Sequence, residues 1–112
     1  MSKEIKREPE TLPARMYYED AYWELDRTRI WSRAWVLAGL VSDFAKTGDY
    51  VSTTVAGYPV MVVKGEDGAI RAFHNVCRHR ASPLVREPQG HIDKLLCPYH
   101  SWRYAFDGKL LN

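Results

Sequence analysis

The sequence predicts a small, mostly β domain preceded by one N-terminal helix. Three observations point there. Short apolar segments in the second half alternate with polar residues and end at turns rich in Gly, Asp or Pro. Only residues 20–34 read as a helical stretch, with no Gly or Pro interrupting them. A length of 112 residues favours one domain over two.

The elements follow in order. Residues 1–16 are charged and contain Pro9 and Pro13, which predicts an extended arm ahead of a domain over 17–112. Asp20 can cap the helix. Trp23, Ile30 and Ala34 fall on one helical face with Trp31 beside them, while Leu25 falls off it. Trp23, Trp31 and Trp35 are expected in the core. Residues 35–40 read as a short buried strand. Gly48 and Asp49 mark a turn, and residues 50–55 alternate with Val51 and Val55 set apart from Ser52 and Thr54. Gly57 is a second turn. Residues 58–64 are β-rich, and Glu66-Asp67-Gly68 closes a hairpin. Residues 70–76 alternate again and deliver Cys77. Residues 79–91 contain Pro83, Pro88 and Gly90, which predicts a loop. Leu95-Leu96 leads into Cys97, and residues 104–111 form another hairpin around Asp107-Gly108.

Composition narrows the class of protein. Hydrophobic residues make up 46% and charged residues 27%, a mix that suits a soluble globular chain and argues against disorder. Sixteen Lys+Arg against fourteen Asp+Glu give +2, too balanced for the concentrated basic face of a nucleic-acid binder. The longest apolar runs fall far short of the roughly 20 residues of a membrane span. The start, Met1-Ser2-Lys3-Glu4-Ile5-Lys6-Arg7-Glu8, lacks the apolar stretch of a secretory signal. The expected setting is the cytoplasm, with neither nucleic acid nor membrane as a partner.

Chemistry concentrates at two places. Cys77 is followed two residues later by His79, and Cys97 is followed three residues later by His100. The two cysteines could form a disulfide, stand as unrelated thiols or bind metal. Disulfides are rare in cytosolic chains, and each cysteine brings its own histidine at loop spacing. One zinc ion would accept two sulfurs and two nitrogens, although a single residue between Cys77 and His79 is short for a zinc knuckle. A two-iron cluster suits the spacing better, with thiolates on one iron and neutral imidazoles on the other. His74 and His91 read as structural or solvated.

Asn75-Val76-Cys77-Arg78-His79-Arg80 and Cys97-Pro98-Tyr99-His100-Ser101-Trp102-Arg103-Tyr104 resemble the two cluster-binding boxes of Rieske [2Fe–2S] domains. The nearer resemblance is to the N-terminal Rieske domain of the α subunits of Rieske non-haem iron oxygenases, over residue 17 to the end. It implies a small antiparallel β-sandwich with a cluster-binding subdomain. Cys77, His79, Cys97 and His100 would be the ligands, and Trp102, Tyr104 and Arg80 would tune the cluster. Ser82 and Tyr99 stand where respiratory Rieske proteins carry a bracing disulfide. Trp102 stands where they carry a sulfur-bonding serine. Tyr104 keeps a tyrosine position that can bond a cysteine sulfur. With fewer hydrogen bonds to sulfur, a potential near the low end of the Rieske span is expected, roughly −150 mV rather than +300 mV. Ala81 and Ser101 stand where most such oxygenases carry glycine.

The resemblance further implies one-electron transfer, from a reductase or ferredoxin to a mononuclear Fe(II) in the oxygenase catalytic domain, often across a homotrimer. That Fe(II) would be held only in a full-length enzyme, and the chain is expected to be C-terminally incomplete. A free-standing Rieske ferredoxin is the alternative, and a zinc-stapled interaction module a third. Arg78, Arg80, Arg86 and Arg103 could draw an acidic electron donor or serve as solvated charges and loop braces.

Overall fold

In a computed structural model, which describes residues 10–112, ten helical and strand segments follow one another along the chain. The expected arm over residues 1–16 lies mostly outside the described residues. Its final stretch enters a 3-10 turn, Ala14–Tyr17.

One α-helix follows, α1 at Asp20–Arg29. It is shorter than the sequence predicts. Glu19, not Asp20, takes the N-cap position in extended conformation, and no side chain caps the first turn. Asp20 instead opens the helix, and Arg27 and Arg29 close it, which places charge favourably against the helix dipole. A separate 3-10 turn, Trp31–Arg33, takes over where α1 ends. No residue of α1 is buried. The apolar face that predicted a longer helix has no surface to pack on within this chain. Trp23, Trp31 and Trp35 are accordingly exposed rather than core.

Residues 35–40 form no strand, and Trp35 is fully exposed. An apolar run alone does not make a strand; a neighbouring edge must supply hydrogen bonds, and none reaches this segment. Its end is held by a 3-10 turn, Val41–Asp43, where Asp43 accepts the Leu40 N–H at 2.8 Å.

Four strands make the main sheet: β1 at Asp49–Val55, β2 at Tyr58–Lys64, β3 at Ile70–His74 and β4 at Gln89–His91. Their order is β3-β2-β1-β4, with antiparallel neighbours. Val55 pairs with Tyr58, so Ala56 and Gly57 alone connect β1 to β2. Both have positive φ, 50° and 82°, as a tight twisted hairpin requires. Gly48 enters β1 at φ 88°, and a Cβ there would meet the Ile92 carbonyl oxygen at 2.0 Å. β4 falls inside the segment predicted as loop. All three of its residues are exposed, so it carries no alternation to read.

A second sheet pairs β5 at Leu95–Leu96 with β6 at Arg103–Tyr104. Tyr104 also bridges Leu110, which makes the predicted hairpin. One core joins the two sheets. It contains Tyr50, Met61, Val63, Val85, Leu95, Tyr104 and Phe106, together with both cysteines. Among the described residues no helix is long and apolar enough to cross a membrane.

Candidate iron–sulfur centre

Cys77 lies just beyond β3, and Cys97 directly follows β5. Each opens a loop of the same construction. The Cys77 N–H donates to the Ser82 carbonyl at 2.7 Å, and the Ala81 N–H donates back to the Cys77 carbonyl at 2.8 Å. The Cys97 N–H donates to the Trp102 carbonyl at 2.8 Å, and the Ser101 N–H returns to the Cys97 carbonyl at 3.0 Å. Closing a loop this tightly needs one left-handed residue four positions after the cysteine. Ala81 at φ 58° and Ser101 at φ 64° supply it.

The loops bring the four donor side chains to one end of the molecule. Both thiols are free and 2% exposed, as part of the core. Both imidazoles are exposed. The His79 and His100 ring centroids are 4.8 Å apart. Trp102 stacks on His79 at 4.7 Å with only 12° between the planes. Tyr99 lies tilted against His100 at 3.9 Å. The Arg80 guanidinium sits 5.8 Å from the Tyr99 ring centre.

The surroundings of Cys77 favour a thiolate. Burial alone would push its thiol up. The Tyr104 hydroxyl, the backbone N–H groups of His79 and Arg80, and the Cys97 thiol outweigh it and hold Cys77 below the ordinary thiol range. The Tyr104 oxygen lies 3.3 Å from the Cys77 sulfur and accepts the Arg78 N–H at 3.1 Å. Burial and the neighbouring sulfur push the Tyr104 phenol up, which keeps its proton on oxygen, within reach of a Cys77 thiolate.

Among the described residues, no three His, Cys, Asp or Glu side chains converge on a point that one ion could fill. A single zinc would need such convergence. A diiron cluster instead divides its ligands into two pairs. Buried thiols on one side and exposed imidazoles on the other present that division.

Asn75 is a residue the motif spacing does not single out. It is 5% exposed and fastens the first loop. Its amide oxygen accepts the N–H groups of Leu84 and Val85 at 2.9 and 3.1 Å. Its nitrogen donates to the Val85 carbonyl at 2.7 Å. Its place two residues before Cys77 is the signal that could have marked it. The remaining histidines stand apart from the loops' ends. His91 bonds Asp49 and Asp93, and His74 packs edge-on to Tyr58.

Relatives carry the same elements. The glycine betaine monooxygenase oxygenase subunit of Pseudomonas aeruginosa is 39% identical over 101 residues, covering 90% of this chain and 24% of that protein. The biphenyl dioxygenase subunit alpha of Paraburkholderia xenovorans is 35% identical over 108 residues, covering 96% and 24%. The crystal structure of the quaternary ammonium Rieske monooxygenase CntA superposes with a TM-score of 0.85 at 31% identity, over 91% of this chain and 30% of that one. The chain therefore spans about a quarter of the length of the curated relatives it matches. The family model of the Rieske [2Fe-2S] domain matches residues 34–112, both loops included, and by that match the chain belongs to the Rieske [2Fe–2S] domain family.

Proposed function

We propose that this chain is the electron-relay domain of a Rieske oxygenase subunit. It takes one electron at a time from a reductase or ferredoxin and passes it to a mononuclear Fe(II) centre of the oxygenase. The observation that carries this reading is the meeting of two buried thiols and two exposed imidazoles on twin loops.

Cys77 and Cys97 would hold one iron, and His79 and His100 the other. Bound there, the cluster supplies reversible one-electron chemistry. The chain's own residues do the rest. Burial of both cysteines keeps water from the sulfurs. The Tyr104 hydroxyl and the loop N–H groups stabilise negative charge on Cys77. Trp102 and Tyr99 cover the faces of the two imidazoles and fix their planes. The exposed imidazole edges leave a path for a redox partner.

The Fe(II) that works on O₂ needs two histidines and a carboxylate. It would be held by a part of the enzyme outside the quarter that this chain matches. Named relatives include monooxygenases of glycine betaine and carnitine and a dioxygenase of biphenyl. The parent reaction we infer is oxygenation of a quaternary amine or an aromatic ring, and by family resemblance alone the assembly is a cytoplasmic homotrimer.

The test is an EPR spectrum of anaerobically purified, dithionite-reduced protein, with iron and acid-labile sulfide counts. About two irons and two sulfides per chain, with nitrogen coupling from imidazole, are expected. Cys77→Ser and His79→Ala should each abolish the signal. Colourless protein carrying one zinc and no labile sulfide would overturn the reading.

A further inference from the structure

The two cysteine loops share their inner hydrogen bonds but differ at the base. β5 and β6 flank the second loop directly, pairing Leu95 with Tyr104 and Leu96 with Arg103, so a backbone ladder closes it. The first loop has no such ladder. β3 ends at His74, residues 75–88 lie in no strand, and β4 pairs with β1 instead of β3. The chain returning from Ser82 must be fastened in another way, because its buried N–H and C=O groups still need partners.

A single side chain meets that need. Asn75 stands between β3 and Cys77, and its amide faces residues 84–85. The oxygen takes the Leu84 and Val85 N–H groups, and the nitrogen donates to the Val85 carbonyl. One amide thus serves two backbone donors and one backbone acceptor, as a partner strand would. The same nitrogen reaches the Ser52 hydroxyl of β1 at 3.3 Å, and the Asn75 N–H donates to the Pro59 carbonyl of β2 at 2.9 Å. With the Cys77 N–H on the Ser82 carbonyl, these bonds close a ring through Asn75, residues 82–85 and Cys77. The sulfur leaves that ring 3.3 Å from the Tyr104 hydroxyl. Asn75, Cys77, Val85 and Tyr104 are all buried, so the arrangement belongs to the interior.

We propose that Asn75 is a positioning residue of the iron–sulfur centre: its amide replaces the missing strand ladder, holds the first loop shut and keeps the Cys77 sulfur against the Tyr104 hydroxyl. This rests on the electron-relay reading above. Hydrogen bonds to ligating sulfurs help set the potential of such a centre, and they favour its more negative, reduced form. Asn75 therefore acts on the potential through Cys77. A residue that only strengthened the fold would leave the potential alone.

The test uses the full chain loaded with its cluster. Reduction potential, urea midpoint and the rate of iron release to a chelator are compared. Asn75→Ala should lower the potential, in the same direction as Tyr104→Phe. The double variant should fall no lower than Tyr104→Phe alone, because once the hydroxyl is gone Asn75 has nothing left to act through. Val63→Ala is the control. Val63 is fully buried and lies three residues along β2 from Val60, which pairs with His74. Its truncation should lower the urea midpoint and leave both the potential and the release rate unchanged. Asn75→Asp keeps the shape and the two accepted bonds but loses the donated ones, and it covers the case in which Asn75→Ala does not fold. It should release iron about fivefold faster than the unaltered chain, the equivalent of one lost hydrogen bond. An unshifted potential in Asn75→Ala, or shifts of Asn75→Ala and Tyr104→Phe that simply add, would overturn the proposal. So would Asn75→Asp protein that releases iron no faster than Val63→Ala. Unaltered protein that holds no cluster sinks the electron-relay reading instead, before any variant is compared.

Discussion

Ala81 and Ser101 occupy equivalent places, each four residues after its cysteine and each in the left-handed region at φ 58° and 64°. A Cβ in that region costs roughly 1–2 kcal/mol. Glycine would relieve it, at about 0.5–1 kcal/mol of extra unfolded-chain entropy. Ala81→Gly and Ser101→Gly should each raise the urea unfolding free energy by up to about 1 kcal/mol. Ala81→Val should lower it by about 1–3 kcal/mol, because a β-branched side chain tolerates this region worst. Asn75 makes a sharper case. Asn75→Ala would strand the N–H groups of Leu84 and Val85 and the Val85 carbonyl in a buried site. A loss of about 2–3 kcal/mol in the same titration is expected. That Cys77, His79, Cys97 and His100 come to one end of the molecule was legible in the sequence, because the Cys/His pairing repeats on two loops. Asn75 was not, because one buried amide at a strand end leaves no periodic mark.

The hairpin of β1 and β2 was equally legible, since the first strand alternates, the second is rich in β-formers, and a short turn at Gly57 joins them. β4 was invisible for the opposite reason. It buries no side chain, and it is held by pairing with β1 and by the Ser52 N–H donating to the Pro88 carbonyl at 2.7 Å. Its end is pinned by His91, which faces Asp49 across the pair, with Nδ1 at 2.8 Å from that carboxylate. Nε2 lies 3.3 Å from Asp93. The Asp49 and Asp93 carboxylates raise the His91 pKa above its ordinary value. Asp49 is itself held low, first by the Lys46 N–H and then by His91, so it stays ionised throughout. A histidine with a raised folded pKa contributes stability that is complete below about pH 6.5 and is lost as pH rises through the folded value. The stability gap between the unaltered chain and His91→Gln should therefore be widest near pH 6 and close progressively in alkaline buffer. Urea titrations across that range read it directly, and a gap that widens with pH would contradict the clamp. The helix from Asp20 was read too far, to residue 34, and the strand over 35–40 was misread, because apolar residues signal structure only when something within the chain covers them.

At the scale of the molecule, the radius of gyration is 20.0 Å and the long axis 67 Å. A compact chain of this length would have a radius near 13 Å. The excess comes from the N-terminal segment, which lies away from the sheets. α1 buries no residue and meets the sheet through Arg27, whose guanidinium is 4.9 Å from the Tyr58 ring beside Gly57. Trp23, Ile30, Trp31 and Leu37 remain exposed along it. The β-body should therefore unfold as a unit indifferent to this segment. A chain lacking residues 1–30 is expected to keep its urea midpoint within experimental error, and amides of α1 should exchange hydrogen far faster than those of β1 and β2. A large drop in midpoint on truncation would show that the segment stabilises the sheets.

The matched wiring of the two loops bears on speed as well as on fold. Each cysteine has both of its main-chain polar groups committed, its N–H to one carbonyl and its C=O to one N–H, inside a close-packed core. A sulfur anchored in this way has little room to shift when the charge beside it changes by one. Dipoles already aimed at that charge need not turn to meet it. With a cluster bound between these loops, small nuclear displacement would mean a low reorganisation energy, and stiffness alone would favour fast one-electron exchange.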